Sequence, residues 1–188
     1  IEGNQVWMTT AFETVASEEE RRERLKKNTG GVPVHVLSSV RLNAVCVDKQ
    51  NGKLLHNIEV IAKKQPQWVH KLNSYASPSP IIESGRVYCH FGAYGTVSVD
   101  AKTGKIAWRN DKVWVMHENG PGSTPVLWKD LLIFHMDGSD QQFVVALDKA
   151  TGKERWRTKR SGKMHDNHQL KKSYGTPVLR EVDGQPVL

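Results

Sequence analysis

Apolar and polar residues alternate along this chain in short runs, separated at regular intervals by clusters of turn residues. From Phe143 to Leu147 the chain is apolar and β-branched, Asp148, Lys149, Ala150, Thr151 and Gly152 then supply a turn, and a second strand pattern starts near Lys153. Such an arrangement predicts a β-hairpin. Asp at the head of the turn accepts backbone N–H groups, and Gly at its end takes the left-handed conformation that a side chain resists. The pattern occurs three times: AVCVDKQNGKLLH ending at His56, TVSVDAKTGKIAW ending at Trp108 and VVALDKATGKERW ending at Trp156. Asp48, Asp100 and Asp148 are 52 and 48 residues apart, a period that marks a repeat architecture.

Upstream of each hairpin lies a second signal, SPSPII around Pro80, GSTPVL around Pro125 and GTPVL around Pro177. Proline opens a strand without removing a ladder hydrogen bond, so these mark strand starts. A further apolar run lies between the two signals, Arg86 to Phe91 in one copy and Leu131 to His135 in the next. One unit is therefore four short strands: Pro80 to Ile82, Arg86 to Phe91, Thr96 to Asp100 and Lys105 to Arg109. The expected fold class is all-β, a β-propeller of four-stranded antiparallel blades. Residues 1–62 are assigned to a partial blade, 63–110 and 111–160 to whole blades, and 161–188 to the start of the next. Propellers close with roughly 4 to 8 blades, so this chain, holding about three to four, is expected to be a fragment of one about twice as long.

One segment breaks the pattern, a helical insertion at 13–38. Ser17, Glu18, Glu19 and Glu20 form a capping box with acidic residues in the first turn, Arg21 to Lys27 place positive charge later, and Gly30 and Gly31 end it. This predicts a helix over 17–27. Only Val15 and Leu25 could pack, which describes a solvated surface insertion, with a lid or partner-docking element as the alternative.

No apolar run approaches the length of a membrane-spanning helix. The net charge of +7 raises the question of nucleic acid. Its carriers are dispersed through turns and strand edges (Lys53, Lys105, Lys153, Arg157, Lys159, Arg160), which argues against a nucleic-acid partner. Cys46 and Cys89 are neither adjacent nor in a CxxC spacing, so a metal site is unsupported. Two buried free thiols are expected, with a disulfide in an exported protein as the alternative.

In a propeller, the loops entering each first strand and those joining second and third strands emerge on one face. Here they carry the candidate ligand-binding residues: His70 and Asn73 with Ser74 and Tyr75 in one entry, and His117, Glu118 and Asn119 in the next. A third entry adds His165, Asp166 and His168. The strand-joining loops add Tyr94, and Asp137 and Asp140 with Ser139 and Gln142. Repetition would aim these groups at a common axis, forming a pocket for an unidentified protein or small-molecule ligand; the alternative is that they hydrogen-bond the long loops into place. His117 is the most plausible proton carrier, since imidazole titrates near neutrality, although adjacent residues such as Glu118 point opposite ways on an extended chain. HDNH has no known metal-ligand spacing, and DGSD lacks the distal Glu of an EF-hand, so both are read as polar loops without a metal or catalytic set.

The run Ala146, Asp148, Thr151, Gly152, Trp156 has the pattern AxDxxTGxxxW, which resembles the tryptophan-docking motif of the PQQ-type (quinoprotein-like) propeller repeat. The copy Ser98, Asp100, Thr103, Gly104, Trp108 matches with one small-residue change, and the copy ending at His56 has lost Ala, Thr and Trp. NSYASPSP, HFGAYGT, ENGPGSTP and DGSDQQFVVALD are similar to PQQ-binding-like propeller proteins of planctomycete-type bacteria. The resemblance implies that Trp108 and Trp156 are structural spacers buried between blades. It also implies a periplasmic or secreted scaffold, with no cofactor expected. The alternative it implies is a PQQ- and calcium-dependent quinoprotein dehydrogenase; the vicinal cysteine pair of such enzymes is absent from this sequence.

Overall fold

The structure is a computed structural model in which residues 1–26 and 33–188 are described. The first part of the chain forms β1 (Gln5–Val15), helix α1 (Glu18–Leu25), β2 (Val34–His35), β3 (Leu37–Asp48) and β4 (Leu54–Lys64). β1, β3 and β4 make an antiparallel three-stranded sheet in that order, and β2 pairs with β5 (Val69–His70). Two four-stranded antiparallel sheets follow, each a simple meander: β6 (Ile81–Glu83), β7 (Arg86–His90), β8 (Thr96–Asp100) and β9 (Ile106–Asn110), then β10 (Val126–Trp128), β11 (Leu131–Asp137), β12 (Gln142–Asp148) and β13 (Glu154–Lys159). A last hairpin joins β14 (Arg180–Val182) to β15 (Gln185–Val187). These sheets make a partial β-propeller.

The turn chemistry fixes each repeat. The Asp100 carboxylate accepts from the Thr103 N–H and hydroxyl, both at 2.8 Å, and the Asp148 carboxylate accepts from the N–H groups of Ala150 and Thr151 and from the Thr151 hydroxyl. Asp48 accepts from the Gln50 and Asn51 N–H groups, so the turn forms without the threonine. Gly52, Gly104 and Gly152 end these turns at φ +73°, +70° and +71°, a region costly for any residue with a side chain.

Successive strand residues point to opposite faces, so each sheet contributes to two cores. Val87, Cys89, Val97 and Val99 pack toward the first sheet with Leu42, Ala44 and Cys46, whereas Tyr88 joins Leu132, Phe134, Val145 and Leu147 between the second and third. Cys46 and Cys89 are free and buried in the first of these cores, so the disulfide alternative does not hold.

The register places Trp7, Cys46 and His56 in one row across the first sheet. Tyr88, Ser98 and Trp108 form the matching row in the second, and Ile133, Ala146 and Trp156 in the third. Trp108 lies over Gly152 of the following sheet so closely that an added methyl group would overlap the indole, and its Nε1 donates to the Lys149 carbonyl at 3.0 Å. His56 takes the same seat over Gly104. The expectation of burial fails for Trp156, which is 38% exposed.

Ser17 caps α1, its hydroxyl accepting from the Glu20 N–H at 3.1 Å, and no helix residue is buried. The helix is tethered by Arg24, whose guanidinium donates to the carbonyls of Leu37 and Pro66. Leu25 packs with Ala16, Val34, Val36 and Trp68. The expected end of the helix at Lys27 and its stop at Gly30 and Gly31 lie outside the described residues. Thr176–Leu179, expected to open a strand at Pro177, have no strand pairing, and the hairpin begins only at Arg180. Among the described residues no helix is long and apolar enough to cross a membrane.

Candidate functional site

The connections 65–80 and 111–125, the β11–β12 connection and residues 167–174 are knitted together by polar side chains. Asn73 Nδ2 donates to the carbonyls of Asn119 at 2.7 Å and Pro121 at 3.1 Å, and its Oδ1 accepts from the Ser74 N–H and the Ser77 hydroxyl. Gln67 spans the same gap, donating to the Val115 carbonyl at 3.0 Å and accepting from the His117 N–H at 3.2 Å. Asp140 accepts from the Met116 N–H at 2.8 Å. Asn119 donates to the Tyr174 hydroxyl at 3.0 Å. Glu118, at φ +51°, turns its carboxylate to Lys172 Nζ at 2.5 Å and Gln169 Nε2 at 2.8 Å.

Asn73, Glu118, Asn119 and Asp140 thus hold loops together. His70 shapes its own loop, accepting from the Leu72 N–H at 3.1 Å. His165, Asp166 and His168 are exposed, with only His168 approaching the group, 3.6 Å from Glu118. Gln142 donates to the Gly138 carbonyl at 2.7 Å. Tyr75 and Tyr94, expected on the surface, are buried beneath it, and both hydroxyls donate to the Gln67 carbonyl, at 2.7 and 3.0 Å.

His117 and Asp137 differ from the rest. His117 is 3% exposed, and among the described residues neither ring nitrogen has a hydrogen-bond partner. Burial pushes its pKa down to about 4; the Gly120 carbonyl pulls the other way, although its geometry falls short of a hydrogen bond, and Lys172 adds to the depression. The imidazole is neutral at pH 7. Asp137 is buried and ion-paired through Oδ2 to Arg160, while its Oδ1 has no partner among the described residues.

Both residues line one small cavity of about 30 Å³, together with His90, Ser123, His135 and Tyr174. Ser123 Oγ and His135 Nε2 are also buried without a hydrogen-bond partner. His90 is held by Thr96 Oγ1 at 2.9 Å from its Nδ1 and stacks 4.2 Å from the Phe134 ring, and burial lowers its pKa to about 3. Burial likewise lowers the pKa of His135, helped by Arg160. Sequence reasoning passed over His90, Ser123 and His135, because His90 and His135 are strand residues. A signal existed in the repeat: Arg86 pairs with Asp100 and Leu131 with Asp148, so His90 and His135 stand at the same position of successive units. A larger apolar cleft of about 230 Å³ lies nearby, between Trp68, Trp114 and Met116, with Arg24 and Glu118 at its edge.

The donor set does not fit a metal ion on this face. Among the described residues no three His, Cys, Asp or Glu side chains converge on one point. Asp137, Glu118 and Asp140 are each already engaged, by Arg160, Lys172 and the Met116 N–H.

Repeated four-stranded antiparallel sheets define a protein of the β-propeller class. A family model described as outer membrane protein assembly factor BamB matches residues 2–185, and the chain belongs to this family of PQQ-like repeat proteins. No curated protein matches it. Similar solved structures include the quinohemoprotein alcohol dehydrogenase ADHIIG of Pseudomonas putida HK5, at 17% identity over 86% of this chain and 23% of that one, TM-score 0.49. The quinohemoprotein alcohol dehydrogenase of Comamonas testosteroni is 13% identical over 83% of this chain and 23% of that one, TM-score 0.49. BamB of Moraxella catarrhalis is 17% identical over 67% and 33%, TM-score 0.41. The chain thus spans a quarter to a third of the length of these structures. Two of them are quinohemoproteins, and the expectation that no cofactor is involved is corrected accordingly: it has no support.

Proposed function

We propose that this protein is a binding scaffold of the exported compartment, without a catalytic role of its own, whose loop face receives a protein or small-molecule ligand. The observation that carries this reading is the contrast on that face. Its loops are locked by hydrogen bonds, yet buried polar atoms of His117, Ser123, His135 and Asp137, which line one cavity, have no hydrogen-bond partner among the described residues. Buried polar groups are nearly always satisfied, so such a cluster points to something bound there. A catalytic reading lacks a working pair, because the Glu118 carboxylate beside His117 is taken up by Lys172 and Gln169. The description of the matching family as an assembly factor supports a scaffold, and its mention of the outer membrane supports export. The test is dye-linked oxidation of alcohols by the full-length protein, with and without added PQQ and Ca²⁺. No turnover is expected; quinone-dependent oxidation would overturn the scaffold in favour of a quinoprotein dehydrogenase.

A further inference from the structure

We infer that the cavity beside His117 receives the hydroxyl groups of a neutral polyol or sugar. The inference rests on the reading of this face as a ligand-binding surface and names the ligand's chemistry. The groups around the cavity offer both halves of the hydrogen bond. Asp137 Oδ1 can only accept. The two nitrogens of a neutral imidazole are one donor and one acceptor, and the Ser123 hydroxyl is both. A hydroxyl group, donor and acceptor at once, complements that mixture.

Other ligand classes fit less well. An anion would meet the Asp137 carboxylate, and the nearby cations are already engaged, Arg160 by Asp137 and Lys172, whose side chain is buried, by Glu118. A cation would face Arg160 and a donor set that does not converge. An apolar group would leave the buried polar atoms unsatisfied. The volume of about 30 Å³ admits one or two hydroxyl-sized groups and not a whole ring, so the remainder of the ligand lies at the mouth. Tyr174, packed over Gly122 and partly exposed, supplies an aromatic surface beside it. A carboxylate, mixed donors and an aromatic surface together suit a hydroxylated carbon skeleton.

The experiment follows the histidine ring resonances of the protein by NMR during separate titrations with glycerol, sorbitol, glucose, inorganic phosphate and Ca²⁺. Sorbitol or glucose is expected to shift the His117 ring signals in a saturable way that is insensitive to salt; glycerol, with fewer hydroxyls, should bind more weakly. Ser123→Ala is expected to raise Kd about tenfold. His117→Phe should abolish binding while the protein stays folded, since an aromatic ring of similar size replaces an unpaired polar one. Shifts with phosphate or Ca²⁺ and none with the polyols would overturn the ligand class while leaving a binding face. Shifts with nothing in the panel would overturn the inference, the cavity then holding water alone. A polyol that binds and is also oxidised would preserve the ligand class and remove the scaffold reading instead.

Discussion

Burying a neutral imidazole makes a protein sensitive to acid. His117 and His90 titrate at about 4 and about 3 in the folded chain, whereas a free histidine does so near 6.5. The unfolded chain therefore takes up protons first as pH falls. Stability should be complete above about pH 6.5 and decline toward pH 4, by up to about 1.4 kcal/mol per pH unit for each such histidine. Urea midpoints measured across that window should fall steadily, and His117→Phe should flatten the slope. At this scale the sequence was a good guide to polar loop residues and a poor one to their tasks. Asn73, Glu118 and Asp140 stand on loops as expected, whereas His70 lies in the short strand β5, and the hydrogen bonds of all four go to neighbouring loops or to their own, which no local pattern announces.

The strands and the helix start were readable because their causes are local. Thr96–Asp100 is found as expected, and Ser17 makes the cap that its spacing to Glu20 implies. The pairing of β2 with β5 was not readable, since two-residue strands have no period and the partners, Val34 with His70 and His35 with Val69, are far apart in sequence. That pairing and Arg24 tie the insertion to the loop entering the next sheet. Arg24→Met should release the helix, because methionine keeps the packing but donates no hydrogen bond to the Leu37 and Pro66 carbonyls. Amide exchange in residues 18–25 should then quicken while β7, β8, β11 and β12 keep their protection. Unchanged exchange in the helix would show that Leu25 and the short strand pair suffice.

Across the whole molecule, cohesion between sheets runs through seams in which an aromatic ring of one sheet covers a turn glycine of the next. Trp108→Ala should cost about 3 kcal/mol, because it removes both the ring and the hydrogen bond to Lys149. Gly152→Ala should also destabilise, since an added methyl would meet the indole at a φ of +71°. His56→Ala should cost less, the ring being smaller. Chemical denaturation of the three variants checks the order. The fold was visible in three copies of one turn, yet His56 read as a degenerate copy because its partner lies on another strand: Trp7 stacks on it at 5.5 Å, just as Tyr88 accompanies Trp108. Histidine in that seat changes how members of this family should be counted. The aspartate and glycine persist in all three turns, whereas the aromatic letter drifts from tryptophan to histidine. A tally of units keyed to tryptophan will come up short in drifted sequences, and one keyed to Asp-x-x-x-Gly will not.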